Sequence, residues 1–281
     1  MKVNHLVLTV LAFFFACFQS VNLHAETTEE VGFDMRRDLL LVQFDSKTDV
    51  DDIHTAAALI TLMSNSKFEK VNYHAVAGTY GIQEGLYVPP NDLFQLAFGD
   101  KWSDAHTNSE LAVEQVMKKV KKALEKKGDV WIAEAGQSDF TEKLVKKIQA
   151  EMPKIDVSQR IHVVQHSDWN EKVTSPESLQ FVRSTTDYHK IPDGNAVGNG
   201  SPGFRSPEYS QWDDKISDPK LAEIWKLAMA IGLEYNGKEG RYNNEAVAKG
   251  GLDFSDLSEV CWILGIQDIK DVAQFFDEYG Y

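Results

Sequence analysis

Leu39-Leu40-Leu41-Val42-Gln43-Phe44-Asp45-Ser46-Lys47-Thr48-Asp49-Val50-Asp51-Asp52 is the stretch on which the fold turns. From Leu39 to Phe44 only Gln43 is polar, the composition of a strand buried on both faces. Asp45 ends the strand, and a polar loop runs to Val50. From Asp51 onward Ile53, Ala56, Ala57, Ile60 and Met63 recur at helical spacing. Asp51 and Asp52 fall in the first turn of that helix, where carboxylates interact favourably with its dipole. The stretch therefore encodes a strand, a loop and a helix.

Working outward, similar units recur. Strands are expected at 71–77, ending at Gly78, at 130–133 and at 161–165, with helices over 110–125 and about 140–148. Alternating strands and helices predict an α/β fold, a mainly parallel, Rossmann-like sheet with helices on both faces. Such sheets bind ligands beyond the carboxyl ends of their strands, here Asp45, Gly78, Gly136 and His166. The segment 191–212 is rich in Gly, Pro and Asn without apolar periodicity and reads as a long ordered loop or lid. Helical patterns close the chain at 219–235, 254–264 and 269–279.

The amino-terminal segment has Lys2, an apolar run from Leu6 to Phe18, and Leu23-His24-Ala25 before the acidic Glu26-Thr27-Thr28-Glu29-Glu30. This pattern reads as a cleaved secretory signal over 1–25, followed by one domain over 26–281. The expected location is periplasmic or extracellular. The apolar run is short for a bilayer span, so no membrane attachment is expected after cleavage. The formal charge of the whole chain is −14, and losing Lys2 makes it one unit more negative. Such a surface repels phosphate backbones and disfavours nucleic acid as a partner. Of the two cysteines only Cys261 survives cleavage, which leaves no intramolecular disulfide and a thiol between apolar Val260 and Trp262. Self-association is left open.

Asp45, Asp49, Asp51 and Asp52 crowd carboxylates at one strand end. Helix capping needs one acidic residue rather than four. A hard cation bound through oxygen offsets the repulsion, and calcium tolerates the irregular coordination of such a loop, with magnesium the other possibility. The loop is not an EF-hand: starting from Asp45, Lys47 stands at the third position, Val50 at the required Gly and Ala56 at the closing Glu. A phosphatase of the haloacid-dehalogenase type needs a second Asp at position 47, where Lys47 stands.

The strand running into an Asp-rich loop that ends in paired Asp at a helix start resembles the nucleoside hydrolase superfamily. It is closest to the divergent, polysaccharide-associated branch of nucleoside-hydrolase-like proteins. With a loop two residues longer than usual, Asp45 takes the place of the family's catalytic Asp; without that allowance Lys47 stands there. Val71-Asn72-Tyr73-His74-Ala75-Val76-Ala77-Gly78-Thr79 resembles the second strand, whose end contacts sugar, which points to Thr79. Trp131-Ile132-Ala133-Glu134-Ala135-Gly136-Gln137-Ser138-Asp139-Phe140 resembles the strand that lends a backbone carbonyl to the metal, supplied by Ser138 or Asp139. Phe254-Ser255-Asp256-Leu257-Ser258-Glu259-Val260 resembles the helix start carrying the last metal carboxylate, Asp256, with Asp253 in reserve. Ser255 occupies the position where the family often has a His for the leaving base.

The resemblance implies an exported hydrolase of an N-glycosidic (ribosyl) or related glycosidic bond. Calcium, held by Asp45, Asp52 and Asp256, activates a water, and Asp45 accepts its proton. Asp51 holds a ribose hydroxyl, with Asp49, Thr79, Asn170 and Asn199 as further contacts to a small nucleoside or glycoside; Asn195 is a lesser choice. Trp102, Trp131, Trp212 and Trp225 are expected to pack in the core rather than stack on sugar. His54 is expected on the helix surface or behind the ligands. The alternative is a non-catalytic, calcium-dependent glycan-binding module on the same fold, favoured by Lys47 and Ser255. A glycosidase acting on O-linked sugars is a third reading.

Overall fold

The computed structural model describes residues 32–194, 203–266 and 269–280. The expected signal at 1–25 lies outside them. The Leu39–Phe44 run forms β1, and its neighbours are β2 (Asn72–Ala77) on one side and β4 (Val130–Ala135) on the other, after β3 (Trp102–Asp104) in sequence. With β5 (Ile161–Gln165) and β6 (Asp187–Lys190) they make a six-stranded sheet of order β3-β2-β1-β4-β5-β6. Every pair is parallel. The fold is α/β with helices on both faces.

Alternation along β1 explains why a continuous apolar run was required. Leu40, Val42 and Phe44 join one core, under helices Asp51–Ser64, Pro219–Tyr235 and Leu257–Ile263. Leu39 and Leu41 join a second core with Val113, Val116 and Val120 of helix Ser109–Glu125 and Leu144, Val145 and Ile148 of helix Ser138–Glu151. Trp225 and Trp131 are buried in the first core, and Trp102 and Trp212 pack against it, in line with the core packing expected of them. Helix Pro219–Tyr235 is tied to helix Asp51–Ser64 by the Trp225 indole, which donates to Thr61 Oγ1 at 2.9 Å.

Strand order reverses between β1 and β4. The crossovers leaving their carboxyl ends run to opposite faces, so a crevice opens between Asp45 and Ala135. A polar buttress lies beneath it. Gln43 donates to Thr141 Oγ1 (3.0 Å), and Thr141 and Ser138 hydroxyls donate to buried Glu134 (2.6 and 2.8 Å). Burial pushes the Glu134 carboxyl up to about 7 despite those hydrogen bonds.

The segment 191–212 is not one uniform loop. Arg205–Ser206 forms β7, antiparallel to β8 (Leu252–Asp253), and Trp212 opens a short helix. Residues 195–202, with Asn195 and Asn199, lie outside the described residues. The expected helix over 254–264 shortens to Leu257–Ile263 because a turn after β8 occupies its start. Among the described residues no helix is long and apolar enough to cross a membrane.

Candidate functional site

The loop after β1 takes its shape from a few contacts. Ser46 has φ +53°, a left-handed conformation that costs a non-glycine residue about 1–2 kcal/mol. It is held there because its N–H donates to Asp52 and its carbonyl accepts the Val88 N–H (2.7 Å). Lys47 and Gln83 clasp each other, the Lys47 ammonium donating to the Gln83 carbonyl and the Gln83 amide to the Lys47 carbonyl. Lys47 Nζ also lies 4.1 Å from the centre of the Tyr80 ring.

These contacts aim the acidic side chains into a cavity of about 360 Å³ at the strand-order reversal, within the range of small-molecule sites. Asp51 and Asp52 from the first turn of one helix meet Asp256 at the start of helix Leu257–Ile263. One oxygen from each lies within 4.8 Å of the others. At an effective dielectric of about 20, two like charges at that separation repel by about 3 kcal/mol, so three ionised carboxylates would carry about 10 kcal/mol of strain. That rivals the net stability of a whole domain.

Without a counter-charge the protons must stay. Burial, then the charges of Asp256 and Asp49, push Asp51 well above the usual carboxylate range. Burial, then Asp256 and Asp45, do the same to Asp52. Asp52 Oδ1 is buried and has no hydrogen-bond partner among the described residues. An all-oxygen donor set with an orphaned buried acceptor fits a hard divalent cation.

Asp45 lines the same cavity but stands beside the triad rather than in it. Its Oδ1 accepts the Lys47 N–H (2.7 Å) and its Oδ2 accepts the Gln137 side-chain amide (2.6 Å). Burial, outweighing the Lys47 hydrogen bond and reinforced by Asp256, raises it to about 7. Asp51 thus stands in the triad where Asp45 was expected. Asp49 also lines the cavity, accepting from Val50 N (2.6 Å) and Asn244 Nδ2 (3.0 Å), and burial then Asp253 raise it to about 7. Asp253, the reserve ligand, is instead paired with Arg205 (3.2 Å) and Asn244 (2.8 Å).

Asn170 lines the cavity, and its Oδ1 accepts from Gln137 at 3.3 Å. Three expected contacts are elsewhere. Ser138 points down to Glu134, and Asp139 accepts from the Ser175 backbone (3.2 Å) and hydroxyl. Their carbonyls belong to the first turn of a helix, whose amino end presents N–H groups and not C=O groups. The residue of this strand end that lines the cavity is Ala135. Thr79 is fully buried, its carbonyl accepting the Gln137 N–H (2.8 Å), so it braces the strand end instead of touching a ligand. A side chain at Gly136 would collide with Thr79, which is why the two loops can cross there.

His54 is not on the helix surface. It is buried, its Nδ1 accepts the Asp253 N–H (3.3 Å), and burial lowers its pKa to about 4. Ser255, where the family places its His, is buried with its hydroxyl donating to Asp253 (2.8 Å).

His166, at a strand end where a ligand was expected, proves central. Its Nε2 lies 3.3 Å from Asp256 and 3.9 Å from buried Glu259. Burial opposes its charge, but Glu259 and Asp256 outweigh that and raise the ring to about 9. The Gly194 N–H donates to Nδ1 at 3.0 Å, a bond an imidazolium could not accept. Against the pull of the two carboxylates toward protonation, the Gly194 bond favours a neutral ring with its proton on Nε2, a preference that a cation beside Asp256 would strengthen. Arg205, Tyr242 and Trp169 complete the walls, and the Trp169 side chain is among the most exposed large apolar groups described. Trp169 sat in a segment already marked by its strand end, whereas Arg205 and Tyr242 lie in stretches without periodicity or motif, and nothing local announced them. No family model, curated protein or solved structure matches this chain.

Proposed function

We propose that the chain is a hydrolase of N-glycosidic (ribosyl) or related glycosidic bonds, exported and calcium-dependent, of the nucleoside hydrolase type. What supports this most is the convergence of Asp51 and Asp52 with Asp256, from opposite ends of the sequence, at a cavity floored by Asp45. Asp51, Asp52 and Asp256 would hold the ion. When bound, calcium supplies positive charge that makes a neighbouring water more acidic.

Asp45 accepts the proton of the attacking water. Gln137 and the Lys47 N–H fix both of its oxygens, so the carboxylate is oriented before substrate arrives. Asn170 accepts from Gln137 through its Oδ1, which leaves its amide nitrogen as donor to a sugar hydroxyl. As the glycosidic bond breaks, the carboxylates stabilise the positive charge developing on the sugar. Trp169 offers the wall of the cavity a face for an aromatic leaving group.

The test is release of base from inosine and uridine, and of nitrophenol from a p-nitrophenyl riboside, with calcium and with chelator. Calcium-dependent release from any of them supports the proposal. The second reading, a calcium-dependent glycan-binding module, draws on Ser255, whose hydroxyl is spent on Asp253 where a proton donor to the leaving group would stand. Saturable oligosaccharide binding without release from any substrate would favour it. Cleavage of aryl O-glycosides lacking ribose would redirect the proposal to O-linked sugars.

A further inference from the structure

The parallel register sets three side chains in a row across the sheet. Trp131 of β4 pairs with His162 of β5, and His162 pairs with Asp187 of β6. Side chains alternate along a strand, so His189, two residues beyond Asp187, emerges on that same face. His162 Nδ1 lies 2.7 Å and His189 Nε2 2.8 Å from one oxygen, Asp187 Oδ2. One ligand atom from each of the three residues lies within 4.8 Å of the others. The cluster is four residues back along β5 from His166, about 13 Å from the acidic cavity at the rise of a strand.

Two further features surround these donors. Trp131 stacks on the His162 ring at 3.9 Å and 19°, and Trp262 lies 5.0 Å from the His189 ring, so the imidazoles are held by packing as well as by hydrogen bonds. Behind His162, Asp129 Oδ2 lies 3.5 Å from Nε2, the nitrogen that faces away from Asp187, without a hydrogen bond between them, and Asp129 Oδ1 accepts from Arg160.

We infer that His162, Asp187 and His189 form a zinc site. Two imidazole nitrogens and one carboxylate oxygen suit Zn²⁺ and suit calcium poorly. Three protein ligands leave one position for water, on the side where the Asp187 and His189 side chains are 40% and 26% exposed. Loading balances without a redox change. The His162 proton moves from Nδ1 to Nε2 beside Asp129, the His189 proton moves from Nε2 to Nδ1, and each vacated lone pair binds the ion. The donors must spread from hydrogen-bond contact to about 3.3 Å, the separation set by tetrahedral Zn–N bonds of about 2.0–2.1 Å. The ion would fasten β6, a strand of polar residues with little apolar burial of its own, to the sheet.

The test is a Zn²⁺ titration of tag-free protein against a chromophoric zinc chelator. Saturating calcium occupies the acidic cavity, and imidazole ¹H–¹⁵N resonances are followed in parallel. The expected result is binding of about one equivalent with shifts at His162 and His189. His162→Gln and His189→Gln should each weaken it by at least about 10-fold, while Asp256→Asn leaves it unchanged. Absence of saturable binding would overturn the inference and leave the three residues a hydrogen-bonded clasp. Binding that survives His189→Gln, or that is lost in Asp256→Asn, would overturn it equally.

Discussion

At the amino end of the sheet, buried Asp38 accepts the backbone N–H groups of Asp129 (2.8 Å) and Asp34 (2.7 Å) and the indole N–H of Trp131 (3.2 Å). At the carboxyl end of the same strands, Asp51, Asp52 and Asp256 face one another, and Asp52 keeps an oxygen with no partner among the described residues. Both sets are carboxylates on one scaffold, buried except for the half-buried Asp51. The first is satisfied by donors the fold already supplies and so serves stability. The second is left in conflict, which a domain tolerates where a ligand resolves it.

The sharpest way to break this contrast is Asp45→Asn, which keeps the shape of the side chain and removes the base. Turnover on whichever riboside proves to be substrate should fall by about 10²–10⁴-fold in a variant that still folds; unchanged turnover would remove Asp45 from the chemistry.

Next in size is the pH response of cation-free protein. Asp45 and Asp49 rise from 3.8 to about 7 on folding, so between those values the native state holds protons that the unfolded chain has released. Stability that is full below about 4 should therefore decline as pH rises through about 7. Saturating calcium should flatten the decline, as read from thermal melts across that window; melts with the same slope with and without calcium would contradict it.

Asp38→Ala probes the opposite end. It orphans buried N–H groups and should cost about 1–3 kcal/mol in urea unfolding, while leaving calcium-induced stabilisation intact. A loss of the calcium response there would erase the distinction between the two ends. Smallest is Trp169→Ala at the rim: KM should rise a few-fold with kcat nearly unchanged, the signature of binding shared equally by ground and transition states.

Much of this was legible in the sequence where one force dominates. The Leu39–Phe44 run and the helix from Asp51 follow from burial and periodicity, and both boundaries hold. Strand β3 has three residues and β6 reads Asp-Tyr-His-Lys, so neither carries an apolar signature, and edge pairing rather than composition makes them strands. The acidic cluster was legible as a cluster, since its members are close in sequence. Its division of labour was not, because whether Asp45 or Asp51 joins Asp256 depends on a left-handed Ser46 and on the reach of Gln137 across the sheet. Ser138 and Asp139 were expected at the ion from the family resemblance, with a helix from about 140, but the helix begins at Ser138, two residues earlier, and turns their carbonyls into its first turn.

The central claim is that Asp52 and Asp256 hold one divalent cation. Calorimetric titration of chelator-stripped protein with calcium near neutral pH tests it most directly. The account predicts saturable binding of about one ion per chain, weakened more than about tenfold, or at least 1.4 kcal/mol, by Asp256→Asn or Asp52→Asn. An absence of saturable heat, or an affinity that neither substitution changes, would contradict it.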